Sequence, residues 1–92
     1  MKKRVVILVI GEDKVGIVYN ISKVLFENNI NIEDVTQKVL DTKIFTMTML
    51  VDMSKSKISI SDLRKEFEVV SKEINVRIDL HHEELFYSMH RV

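Results

Sequence analysis

Five groups of residues carry chemistry worth weighing. Glu12, Asp13 and Asp34 are of the type used in acid–base catalysis, but no nucleophile or metal set accompanies them, so catalysis is not expected. His81, His82, Glu83, Glu84 and His90 are metal-ligand types without a recognised ligand spacing. His82 and Glu83 point opposite ways if the chain there is a strand, so a structural or solvent role is expected and no metal. Met47, Met49 and Met53 read as core or interface filler rather than copper ligands. His90-Arg91 is either an anion contact or a flexible chain end. The fifth group is the stretch Gly11-Glu12-Asp13-Lys14-Val15-Gly16, with the only two glycines of the chain at its ends. Glycine reaches φ > 0 and admits close approach to the backbone, and the N–H groups that open the following helix favour anions. The stretch is either a bare strand-to-helix turn with Asp13 as N-cap or a turn that also binds a ligand.

The elements must hold that turn in place. Val5 to Ile10 is an unbroken apolar run, so residues 4–10 read as a central strand buried on both faces. Residues 14–28 read as a helix whose stripe is Ile17, Ile21 and Val24 with Val18 and Leu25. Tyr19 and Phe26 lie beyond that stripe, where a partner chain or the C-terminal segment would cover them. Asn28-Asn29 ends the helix. Residues 30–40 form a second strand, polar enough for an edge, with Val35 and Val39 opposite Asp34, Thr36 and Lys38. A hairpin turn at Asp41-Thr42 or Thr42-Lys43 leads to a third strand, 44–53, with Phe45, Met47, Met49 and Val51 on one face. Ser59 and Ser61 are alternative N-caps for a helix with the stripe Leu63, Phe67, Val70 and Ile74. A short strand over 76–81 and a last helical turn or two from Glu83 complete the chain.

The order β-α-β-β-α-β predicts an α+β fold of the ferredoxin-like type: a four-stranded antiparallel sheet, two helices on one face and a short C-terminal helical segment. One domain over residues 1–92 is expected. A single helical layer leaves the apolar first strand uncovered on its other side, so a homodimer or higher homo-oligomer is expected.

Composition narrows the function. Lys+Arg and Asp+Glu are both 14, a formal net charge of zero, which gives no nucleic-acid footprint. The chain has no Cys, which removes disulfides, thiolate metal sites, ferredoxin clusters and heavy-metal carriage. An RNA-recognition sheet needs aromatics on its two central strands, and only Phe45 is available. An acylphosphatase would need an arginine in the first loop, and Gly11 to Gly16 has none. The run after Met1-Lys2-Lys3-Arg4 is too short for a signal peptide or a membrane span, so the cytoplasm is the expected location.

Asp13-Lys14-Val15-Gly16-Ile17-Val18, followed fifteen residues after Gly16 by Ile30-Asn31-Ile32, resembles the ACT domain, a small regulatory domain that commonly binds amino acids at subunit interfaces. The family pattern has Asp or Asn, any residue, Pro, Gly and an aliphatic helix start, then an apolar-Asn-apolar entry to strand two. This chain departs at Val15, where Pro is common. Gly11 also stands where some serine-binding members carry histidine. The tail from His82 to Arg91 is similar to the ending of small free-standing ACT proteins of the glycine-cleavage-repressor type. The resemblance implies a small-molecule site at Gly11, Asp13, Lys14, Val15, Gly16, Ile17 and Asn31. Asp13 and Asn31 would hold the ammonium of an amino acid, and the N–H groups near Val15 to Ile17 its carboxylate. No cofactor, nucleic acid or membrane partner is implied. Two functions follow: a non-catalytic module sensing an amino acid or related metabolite at a homodimer interface, or a ligand-free module docking on a metabolic enzyme or regulator.

Overall fold

The computed structural model describes residues 3–12 and 15–89, of which 87–89 as backbone only. The elements are β1 (Arg4–Glu12), α1 (Ile17–Glu27), β2 (Asn31–Leu40), β3 (Ile44–Asp52), α2 (Ile60–Ile74), β4 (Val76–His82) and α3 (Glu83–Met89). The sheet order is β2-β3-β1-β4, with every neighbouring pair antiparallel. This is the expected ferredoxin-like sheet, with β1 and β3 central and β2 at an edge.

Alternation assigns the faces. Val5, Ile7 and Val9 of β1 and Phe45, Met47, Met49 and Val51 of β3 point to the helices, where Ile17, Ile21, Leu25, Leu63 and Phe67 close the core. The three methionines are buried there as apolar filler. Val18, expected in the α1 stripe, is exposed, because the buried arc is completed by Ile17, Ile21, Val24 and Leu25. Asn28 ties the end of α1 to α2: its side-chain amide donates to Val24 O at 2.9 Å and to Glu66 Oε2 at 3.1 Å. Asn29 at φ 58° then turns the chain into β2.

Polar residues cap α2 at both ends, the first of them one of the two expected N-caps. Ser59 is the N-cap and accepts from the Asp62 N–H, and Asn75 in the left-handed region ends the helix. The hairpin turn places Asp41 at φ 51° and Thr42 at φ 58°, closed by the Lys43 N–H donating to Leu40 O at 3.0 Å.

On the sheet face away from α1 and α2, called the open face below, the expected burial of β1 holds only at one end. Val6 is 3% exposed, whereas Ile10 is 47% exposed. The difference comes from α3, which folds back against β1 and β4 and brings Phe86 to 6.4 Å from His81, the residue paired with Val6. α3 does not reach α1, so the C-terminal segment, as far as it is described, does not cover Tyr19 (66% exposed) or Phe26 (85% exposed). His90-Arg91 lies outside the described residues.

Candidate functional site

The turn between β1 and α1 differs from expectation at both glycines. β1 runs on to Glu12, so Gly11 is a strand residue, paired with Phe45 on one side and Val76 on the other. A Cβ on Gly11 would stand 2.6 Å from Val76 Cγ1. Close approach of β4 therefore requires this glycine, and the loop begins after Glu12, not at Gly11. α1 begins at Ile17, not at residue 14, and its N-cap is Gly16 at φ 95°, not Asp13. A residue with a Cβ is strained at that φ, which explains the glycine without any ligand. Within the protomer, space does not demand the glycine: the nearest atom to a built Cβ is Asn20 Nδ2 at 3.4 Å. Asp13 and Lys14 lie outside the described residues.

The first helical bond of α1 runs from the Asn20 N–H to Gly16 O at 2.9 Å, and the Asn20 side-chain amide donates to the same oxygen at 2.7 Å. The N–H groups of Ile17, Val18 and Tyr19 precede that bond, and among the described residues none caps them through a side chain and the first turn holds no acidic residue. A helix start of this kind presents a partial positive charge. The Ile17 side chain is buried in the core, so only its backbone is available to a ligand. Val15 is fully exposed.

Asn31 is not beside this turn. It opens β2 opposite Asp52, which is paired with Arg4 at the start of β1. The turn follows Glu12 at the other end, level with Ile44 and Leu40. The eight residue-to-residue steps from Arg4 to Glu12 separate the two by about 27 Å. One protomer therefore splits the sequence-predicted site in two. The separation was implicit in the topology, because a β-α-β crossover makes β1 and β2 parallel and starts both at the same end.

Asn31 has a hollow of its own, about 400 Å³, lined by Phe26, Asn29, Ile30, Asn31, Asp52, Ser54 and Lys55. Asp52 is fixed there by the Ser54 N–H at 3.0 Å and the Lys3 N–H at 3.1 Å. Asn29 donates to Lys55 O at 3.1 Å and holds the opposite rim. A wider cleft of about 660 Å³ at the same end of the sheet is lined by Lys3, Arg4, Ser59, His82 and Glu83 among others.

Sequence reasoning missed the charge network at this end. Arg4 Nε donates to Glu33 Oε1 at 2.9 Å, and its Nη1 lies 3.6 Å from Glu83 Oε2. The hydrogen bond and charge of Glu33 raise the Arg4 pKa above its ordinary value. Glu33 reaches Arg4 from the irregularity in β2 between Ile32 and Asp34. Among the described residues no group of His, Asp and Glu has metal-binding geometry, and no helix is long and apolar enough to cross a membrane.

This geometry accords with known proteins. A family model described as the ACT domain matches residues 3–81. A UPF0237 protein of Methanocaldococcus jannaschii is 48% identical over 89 residues, covering 97% of this chain and 98% of its own. An ACT domain protein from Streptococcus pneumoniae superposes with a TM-score of 0.79 at 37% identity, covering 94% of this chain and 96% of that one. A structure described provisionally as a glycine cleavage system transcriptional repressor shares the fold, with a TM-score of 0.76 at 21% identity over 88% of this chain and 46% of that one. The sheet order, the Gly16 turn, the Asn31 entry to β2 and a match spanning nearly the whole sheet place this chain in the ACT domain family.

Proposed function

We propose that this protein is a non-catalytic regulatory module that senses an amino acid or related small metabolite between two copies of itself. The observation that carries the reading is the separation of Asn31 from the Gly16 turn across the sheet. β2 is a ten-residue edge strand with Ile32, Val35, Val39 and Leu40 exposed, a template for pairing with another strand. Antiparallel pairing of β2 with its copy about a two-fold axis reverses the strand. It sets Asn31 of one copy at the same end of the sheet as the Gly16 turn of the other. The hollow beside Asn31 then meets the positively polarised first turn of the facing α1. The ligand carboxylate takes the N–H groups from Val15 to Ile17, and its ammonium takes Asp13 and the facing Asn31. The ACT domain family, typically regulatory and small-molecule-binding, supports the same reading.

Thermal shift with a panel of amino acids and their close metabolic relatives tests it. A ligand at a hundred times its dissociation constant stabilises the protein by about 2.7 kcal/mol. No shift across the panel would overturn the sensing role.

One observation favours a second reading. Tyr19 and Phe26 remain exposed on the outer side of α1, as a surface that docks on an enzyme or regulator would. A partner that co-purifies in the absence of metabolite, and is lost in the Tyr19→Ser variant, would support docking over sensing.

A further inference from the structure

The ACT domain match ends at residue 81, and α3 begins at Glu83. α3 buries Val6 against the open face as a small cluster apart from the main core. It covers only the half of that face near Val6. The other half still presents Ile10 and Ile44, with the partly covered Leu8 between them and the cap. α3 also presents an apolar side chain outward, Leu85, 53% exposed, next to the exposed Glu84.

We infer that the uncovered half of the open face is docked by α3 of a second copy of this chain. α3 starts where β4 ends, at His82, which is level with Val5. A two-fold axis parallel to the sheet and crossing the strands at mid-length carries the start of the partner's α3 to the place where β4 begins. That place is occupied by Arg77, paired with Ile10. The partner's Glu84 thus meets Arg77, whose side chain is 75% exposed and lies 3.0 Å from Asp79 within its own copy. The partner's Leu85 meets Ile10 and Leu8. The two α3 helices lie side by side between the sheets, one over each half of each face. In the β2 and β3 part of the face, Thr36, Thr46 and Thr48 are polar and need no cover, and the paired Leu40 and Ile44 stay exposed at its end.

Complementarity supports a second copy as the occupant: α3 carries an exposed acidic and an exposed apolar side chain, Glu84 and Leu85, and the uncovered half of the face carries the exposed Arg77 and Ile10. This contact is independent of the β2 edge, so the two together would make a tetramer.

Light scattering at micromolar concentration tests the contact on the full chain. Ile10→Lys and Leu85→Asp are each expected to halve the wild-type mass. Circular dichroism melting confirms that each variant is folded. Glu84→Arg and Arg77→Glu alter exposed side chains, and each should weaken the association by about tenfold, with the double variant restoring it. A wild-type tetramer reduced to a dimer supports both contacts. A wild-type dimer reduced to a monomer supports the α3 contact and removes the β2 pairing. A wild-type monomer overturns both contacts. A folded Ile10→Lys and Leu85→Asp pair at unchanged mass overturns the α3 contact alone.

Discussion

Gly11 and Val76 face each other across β1 and β4 so closely that a Cβ on Gly11 would stand 2.6 Å from Val76 Cγ1, 3.0 Å from its Cβ and 3.2 Å from its Cα. Two of those atoms are not the free end of a flexible side chain, so the strands must separate to admit it. Gly11→Ala is therefore expected to cost about 1–3 kcal/mol, the usual range for overpacking. Urea unfolding measures it. Adding Val76→Ala removes the Cγ1 contact but not the others, so the Gly11→Ala cost should shrink without vanishing in that background.

Gly16→Ala separates conformational strain from crowding. At φ 95° an alanine should cost about 1–2 kcal/mol. The opposite sign, a gain of about 1 kcal/mol, applies to a glycine inside a helix. Gly16→Asn should cost less than Gly16→Ala, since asparagine enters the left-handed region more readily. Equal stability of all three proteins in chemical denaturation would contradict the assigned cap.

Thr42 is the strained member of the β2–β3 turn. It is β-branched and sits at φ 58°, after Asp41 at φ 51°. Two successive positive φ values suit Asn-Gly or Asp-Gly. Thr42→Gly is expected to raise stability by about 1 kcal/mol, readable as a higher midpoint in guanidinium with an unchanged slope.

Much of this fold was legible because its signals are local. Alternation set the faces of β3, polar content set β2 at the edge, and Ser59 and Ser61 announced the start of α2, of which Ser59 is the cap. The start of α1 was not legible, because Val15 and Lys14 continue a helical pattern and a glycine at Gly16 looks the same with either sign of φ. Gly11 resembled a turn residue, since the partner that excludes a side chain there, Val76, is 65 positions away. The folding back of α3 had no local signal either: seven residues with a few apolar positions do not say which surface they cover. The candidate site was read as one cluster from its motif, and strand register divides it. Arg4, Glu33 and Glu83 form a network from three separate elements, invisible to any spacing rule.

The most direct test of a site built between two copies is complementation. Asn31→Ala and Asp13→Ala each damage every site in their own oligomers. After co-refolding of an equal mixture, mixed pairs carry one site with both defects and one with none. Calorimetric titration with the amino acid that shifts the wild-type melting temperature should find about a quarter of the wild-type sites at wild-type affinity in the mixture. Neither variant alone should show any. A mixture that binds no better than its two components would contradict a site shared between copies.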